Sequence, residues 1–140
     1  RHPHIAALYE VGRQGPRAFI AVELLPDGSL SDLLRPARDV GLSLRLAIDL
    51  ARQAAEALAY AHAQGCVHGA LEPSAMLLRQ AGAGYTLKLA DFGVAGLTEP
   101  GAAQTTAAPA GPPDYLAPEQ CQGLEPIPAS DVYALGVALF

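Results

Sequence analysis

The stretch Val67-His68-Gly69-Ala70-Leu71-Glu72-Pro73-Ser74-Ala75-Met76-Leu77-Leu78 decides how this chain is read. Its first part is a loop carrying His68 and Glu72, and it runs into the short apolar piece Met76-Leu77-Leu78. Cys66-Val67, Met76–Leu78 and Thr86–Leu89 are each short enough to be small strands separated by loops. Directly after the last of them comes Asp91-Phe92-Gly93.

Upstream lies the clearest helix, about Leu44 to Gln64. Leu46, Leu50, Ala54, Ala57, Leu58 and Ala61 recur at helical spacing and share one face. Ser43 suits its N-cap, and Gly65 suits the left-handed position just past its end. Further upstream, Ile5–Val11 and Ala18–Glu23 read as two strands of a hairpin around the turn-forming Gly12-Arg13-Gln14-Gly15-Pro16. Pro26-Asp27-Gly28 breaks the chain, and Ser29 caps a short helix running to Leu34. Downstream, residues 96–113 are rich in Ala, Gly, Pro and Thr without periodicity, as expected of a functional or mobile loop. Ser130-Asp131 then opens a last, apolar helix.

Composition narrows the function classes. A hydrophobic fraction of 51% with 16% charged residues is that of a globular domain. A net charge of -5 without a run of like charges gives no footprint for nucleic acid or an anionic membrane. Cys66 and Cys121 are far apart and form no C-x-x-C pair, which fits a reducing, cytoplasmic compartment. The chain opens without a signal peptide, and no apolar run reaches the roughly 18 residues of a membrane span. Val132–Phe140 is apolar to its last residue and reads as a buried core helix rather than the start of a membrane helix. His2 and His4 lack the Cys, Asp or Glu neighbours of a metal site.

Taken together, these stretches resemble a bacterial serine/threonine (Hanks-type) protein kinase domain. The family pattern H-R-D-L-K-P-x-N is matched at His68, Leu71, Pro73 and the apolar tail. Asp91-Phe92-Gly93 resembles the metal-binding D-F-G, and Tyr115-Leu116-Ala117-Pro118-Glu119 the end of an activation segment. Ser130–Gly136 resembles the buried helix that anchors the catalytic loop. Arg1–Ile5 is similar to the approach to the fourth strand of the small lobe, and Val22–Leu30 to the hinge. The resemblance implies an α+β, partial protein-kinase-like fold: small-lobe strands four and five over 1–22, a hinge over 23–28, and the large lobe over 29–140. The glycine-rich loop, the strand lysine, the helix with its glutamate partner and everything after the anchoring helix lie outside the chain.

The same resemblance shows a degenerate loop. The orienting Asp falls on Ala70, the phosphate-contacting Lys on Glu72, and the second metal-ligating Asn on Ala75. The Arg that would pair with a phosphorylated activation loop falls on Gly69, and the loop-stabilising Thr on Pro112, which has no N–H. No catalytic residue is intact. Asp91 offers hard oxygens to Mg²⁺ and is also readable as a solvated remnant. His68 reads as a packing residue in a stack with Leu8 and Phe92, and Asp131 as an acceptor for backbone N–H groups of the loop. Glu119 lacks the later Arg that pairs with it in the family. Thr98, Thr105 and Thr106 are loop residues or phosphorylation sites. For the adenine pocket, the resemblance implies contacts from the Glu23 carbonyl and Leu25 N–H, with Val22 at the back and Leu77 as floor.

The expected function is a pseudokinase acting as a signalling, nucleotide-binding or protein-binding module, with ATP and Mg²⁺ weakly bound or absent. The protein partner or substrate is open. Two alternatives stand: an active kinase in which Glu72 replaces the lost Asp, and a truncated, non-functional remnant. Because the chain starts without Met and stops inside an apolar helix, it reads as a fragment, expected to fold only partly on its own.

Overall fold

The computed structural model describes residues 1–15, 17–36, 41–92 and 112–140. The expected loop over 96–113 and its threonines, and Gly93, lie almost wholly outside them; only Pro112 and Pro113 of that loop are described. The first two strands, β1 (Leu8–Gln14) and β2 (Arg17–Val22), form an antiparallel hairpin with Val11 opposite Ile20 and Gln14 opposite Arg17. The strands therefore extend to Gln14 and Arg17, Gly15 has φ +62°, and Gly12 belongs to β1. The Phe19 ring lies over Gly12 so closely that a Cβ there would come within 2.7 Å of it, which explains a glycine inside a strand.

Helix α1 (Leu30–Leu34) is capped as expected by Ser29, whose hydroxyl accepts from Asp32 N while the Asp32 carboxylate accepts from Ser29 N. Helix α2 (Leu44–Ala63) starts at Ser43, whose Oγ accepts from Leu46 N, and ends at Gly65 with φ +72°. Its inner face buries Leu50, Ala54, Ala57, Leu58 and Ala61. Cys66-Val67, expected as a strand, is an irregular link. A 3-10 turn at Pro73–Ala75 leads into β3 (Met76–Ala81), which pairs antiparallel with β4 (Gly84–Leu89) through a turn at Gly82, φ +59°. Helix α3 (Pro118–Cys121) and helix α4 (Pro128–Leu139) complete the order, α4 starting two residues before the expected Ser130.

One core joins α1, α2, the β3–β4 hairpin and α4. Leu50, Leu58, Leu71, Met76, Leu78, Leu87, Leu89 and Ala134 cluster between α2, the β3–β4 hairpin and α4. Along β3, Met76 and Leu78 point into this core while Leu77 lies half-buried on the other face, the alternation a pleated strand imposes. Among the described residues no helix is long and apolar enough to cross a membrane. Helix α4 instead packs Ala134, Leu135 and Ala138 onto the core.

The inner face of α2 carries one polar residue that periodicity did not single out. Gln53 Oε1 accepts from Leu87 N at 2.8 Å, and its Nε2 donates to the Tyr85 carbonyl at 3.0 Å, clamping β4 onto α2. Replacing Gln53 with Leu keeps the bulk but strands the buried Leu87 N–H. The expected loss is about 1–3 kcal/mol of unfolding free energy, readable by urea denaturation of the full-length protein.

Candidate functional site

The loop at Val67–Ala75 is held mainly by backbone groups. Asp131, 1% exposed at the start of α4, accepts from His68 N at 2.9 Å, Gly69 N at 2.8 Å and His62 Nε2 at 2.7 Å. This is the acceptor role expected of Asp131, with His62 of α2 as an additional donor that sequence reading did not identify. Gln120 of α3 adds a second clamp: its Nε2 donates to the Gly69 carbonyl at 2.7 Å while its Oε1 accepts from Ala117 N. Glu119, without the distant Arg, accepts instead from the buried Ser130 hydroxyl, which holds its carboxyl below the usual range.

His68 is 1% exposed and stacks on Phe92 with ring centroids 4.7 Å apart. Leu8, the other expected member, is 60% exposed; it and Phe92 line the same apolar cavity of about 440 Å³ between the β1–β2 hairpin and the end of α2. His68 Nε2 lies 2.9 Å from the Ala90 carbonyl, and Nδ1 accepts from Ala70 N. Both contacts are satisfied by the neutral ring with its proton on Nε2. Burial pushes the pKa of His68 below its ordinary 6.5, against the raising effects of Asp131 and Ala90. The unfolded chain therefore takes up a proton, as pH falls below about 6.5, that the folded chain resists. Stability contributed by neutral His68 is present above that pH and lost progressively below it. Melting temperatures of the full-length protein at pH 7.5 and 5.5 should diverge, and the gap should shrink in His68→Gln, which keeps a donor for Ala90.

Ala90 links loop and strand. Its N–H donates to the Ala75 carbonyl at 2.9 Å while its carbonyl meets His68. Ala75 and Asp91 are thus neighbours across one hydrogen bond. Asp91 is exposed and has φ 62°, the one positive φ of a non-glycine residue among those described. Such a backbone costs roughly 1–3 kcal/mol and is retained where surrounding structure enforces it. The residues fit Mg²⁺ poorly. Asp91 supplies one carboxylate, buried Ala75 supplies no donor, and among the described residues no group of three His, Cys, Asp or Glu could hold a metal. Ala70 is half-buried with no polar side-chain atom. The Glu72 carboxylate accepts from the Ser74 hydroxyl.

The hinge-like segment adjoins this loop. Val22 ends β2, half-buried Glu23 follows, and Leu25 is 6% exposed. Glu23 N donates to the Ala7 carbonyl, and its carboxylate accepts from Ala7 N at 3.2 Å and from Lys88 Nζ at 2.7 Å. Lys88 comes first among the causes that hold Glu23 below the usual carboxylate range, followed by Ala7. Beyond it, Gln80 N donates to Asp27 and Leu78 N to the Gly28 carbonyl, both at 2.8 Å, and Ser29 bridges to Leu77. The segment from Glu23 to Ser29 therefore runs along β3, with Leu77 on the side away from the core.

Comparison with known proteins agrees with this arrangement. The protein kinase domain model matches residues 1–140. The chain is 37% identical over 141 residues to the serine/threonine-protein kinase PknA of Mycobacterium tuberculosis, covering 97% of this chain and 32% of that protein. It is 33% identical to the serine/threonine-protein kinase pkn2 of Myxococcus xanthus, covering 99% of this chain and 17% of that protein. The chain thus spans at most about a third of these curated relatives. The crystal structure of the Mycobacterium tuberculosis PknI kinase domain superposes with a TM-score of 0.77 at 24% identity, covering 99% of this chain and 49% of that one. The backbone-fixed loop, the anchoring Asp131 and the match along the whole chain lead to one conclusion: this chain belongs to the protein kinase domain family.

Proposed function

We propose that this chain is part of a serine/threonine kinase-like module that binds a nucleotide or a protein partner in signalling and does not transfer phosphate. The division is a small-lobe hairpin over 1–22, a hinge over 23–28 and the large lobe over 29–140, with a cytoplasmic location. The observation that carries the reading is a loop with its backbone anchored and its chemistry removed. Asp131 and Gln120 hold His68 and Gly69, yet Ala70, Glu72 and Ala75 occupy the positions of the orienting acid, the phosphate-binding cation and the second metal ligand. In this reading Val22, Glu23, Leu25 and Leu77 form the adenine pocket, and Asp91 is the remaining metal ligand.

Nucleotide binding to the full-length protein, with and without Mg²⁺, tests it. Binding is expected to depend only weakly on the metal, and Asp91→Ala should abolish whatever dependence exists. A strong Mg²⁺ requirement that survives in Asp91→Ala would show that the metal site lies elsewhere. A second reading is favoured by one contact: the Glu72 carboxylate already accepts a hydroxyl, that of Ser74. An active enzyme using Glu72 in place of Ala70 would make the same contact to an acceptor hydroxyl.

A further inference from the structure

We propose that Glu23 and Lys88 form a clasp that fixes the β1–β2 hairpin against β4, and that releasing it lets the hairpin move as a unit while the core stays folded. The inference rests on this geometry alone and goes beyond the functional reading above. Among the described residues, no hydrogen bond or ion pair joins residues 8–22 to anything outside the hairpin. Polar contacts therefore tie the hairpin down where the chain enters it and where it leaves. On the way in, Ala6 N donates to the Leu89 carbonyl at 2.8 Å and Leu89 N to the His4 carbonyl at 2.9 Å, which lays residues 4–6 along β4. On the way out, Glu23 N donates to the Ala7 carbonyl at 2.8 Å.

One carboxylate gathers both passages. Glu23 Oε2 accepts from Ala7 N at 3.2 Å, and Lys88 Nζ reaches Glu23 Oε1 at 2.8 Å and Oε2 at 2.7 Å. On β4, Lys88 lies between the buried Leu87 and Leu89 and points to the opposite face of the strand, away from the core. The ion pair thus completes with side chains the hold that Leu89 makes with its backbone. The Glu23 and Lys88 side chains are 13% and 18% exposed. The pair is shielded enough to outweigh an exposed one, yet water reaches both groups once they part. Arg79, on the neighbouring strand β3, lies 3.6 Å from Glu23 Oε1 with its side chain half exposed, and is the weaker second hold. Leu8, Ile20 and Val22 of the hairpin share the apolar cavity of about 440 Å³ with Tyr60 and Phe92. Movement at the clasp therefore changes the width of that cavity.

Residue-resolved amide hydrogen exchange of the full-length protein tests this. In Glu23→Gln, which removes both ion pairs, exchange at Ala6, Ala7 and Leu89 is expected to quicken at least about tenfold. Lys88→Met should act at the same three amides. Arg79→Gln, which leaves the Glu23–Lys88 contact in place, should have the smallest effect. The amides of the β1–β2 ladder and of α2 should keep their rates in all three variants, since the hairpin moves whole and the core stays closed. Unchanged exchange at Ala6, Ala7 and Leu89 in either Glu23→Gln or Lys88→Met would overturn the clasp. Equal quickening in the β1–β2 ladder or in α2 would show that the hairpin or the core unfolds instead, and would overturn it as well.

Discussion

Replacing Asp131 with Ala is expected to cost about 3–5 kcal/mol of stability, the range for breaking a buried charged hydrogen-bond network from one side. Three donors converge on this one carboxylate: His68 N and His62 Nε2 on Oδ2, and Gly69 N on Oδ1. Truncation leaves the two loop amides buried, where each unpaired group costs roughly 1–3 kcal/mol, and removes the tie between α2, the loop and α4. Asp131→Asn should lose less, since its remaining carbonyl oxygen still accepts while its amide group faces a donor. Urea unfolding of the full-length protein and both variants checks the order. A loss below about 1 kcal/mol in Asp131→Ala would mean that solvent replaces these bonds and that the loop is not anchored as described.

Phosphate transfer by the full-length protein is expected to lie at least about 10⁴-fold below the 1–100 s⁻¹ usual for protein kinases. On the proposed reading Ala70 leaves an acceptor hydroxyl without an orienting carboxylate, and losing an acid–base group alone costs about 10²–10⁴ in rate. Glu72 exchanges an attraction for a repulsion. One unit-charge pair at 4 Å is worth roughly 4 kcal/mol at an effective dielectric near 20, and solvent or metal would reduce that size without changing its sign. On the same reading Ala75 removes a metal ligand near Asp91, which directly follows Ala90, the donor to the Ala75 carbonyl. Asp91 alone does not offset three such losses. Any residual transfer should rise in Glu72→Gln, which removes the repulsion; its loss in that variant would instead assign Glu72 the role of the missing acid.

Much of the fold was legible in the sequence where local physics sets it. The apolar period of α2, its Ser43 cap and Gly65 terminator, and the Ser29–Asp32 box of α1 are all decided within a few residues. Strand limits were less legible. Nearly all of β1 and β2 is exposed, so alternation could not fix their ends, and Gly12 read as a turn because its cover, Phe19, comes from the opposite strand. The polar clamps were hidden for a related reason. Gln53, Gln120 and His62 act on residues 32, 51 and 69 positions away, and no local pattern encodes such pairs. A glutamine on an otherwise apolar helix face was the one available sign of Gln53. The candidate site rests on family resemblance rather than on pattern. Ala70, Glu72 and Ala75 are individually unremarkable, and their meaning comes from the positions they occupy beside His68 and Asp91.

The most direct test of the account is a radiolabelled phosphate-transfer assay on the full-length protein, with ATP, Mg²⁺ and generic protein acceptors. The predicted result is no incorporation above background under conditions where an active family member is readily detected. Turnover in the ordinary range of about 1–100 s⁻¹ would contradict it, and would show that the anchored loop carries a working phosphotransferase centre despite Ala70, Glu72 and Ala75.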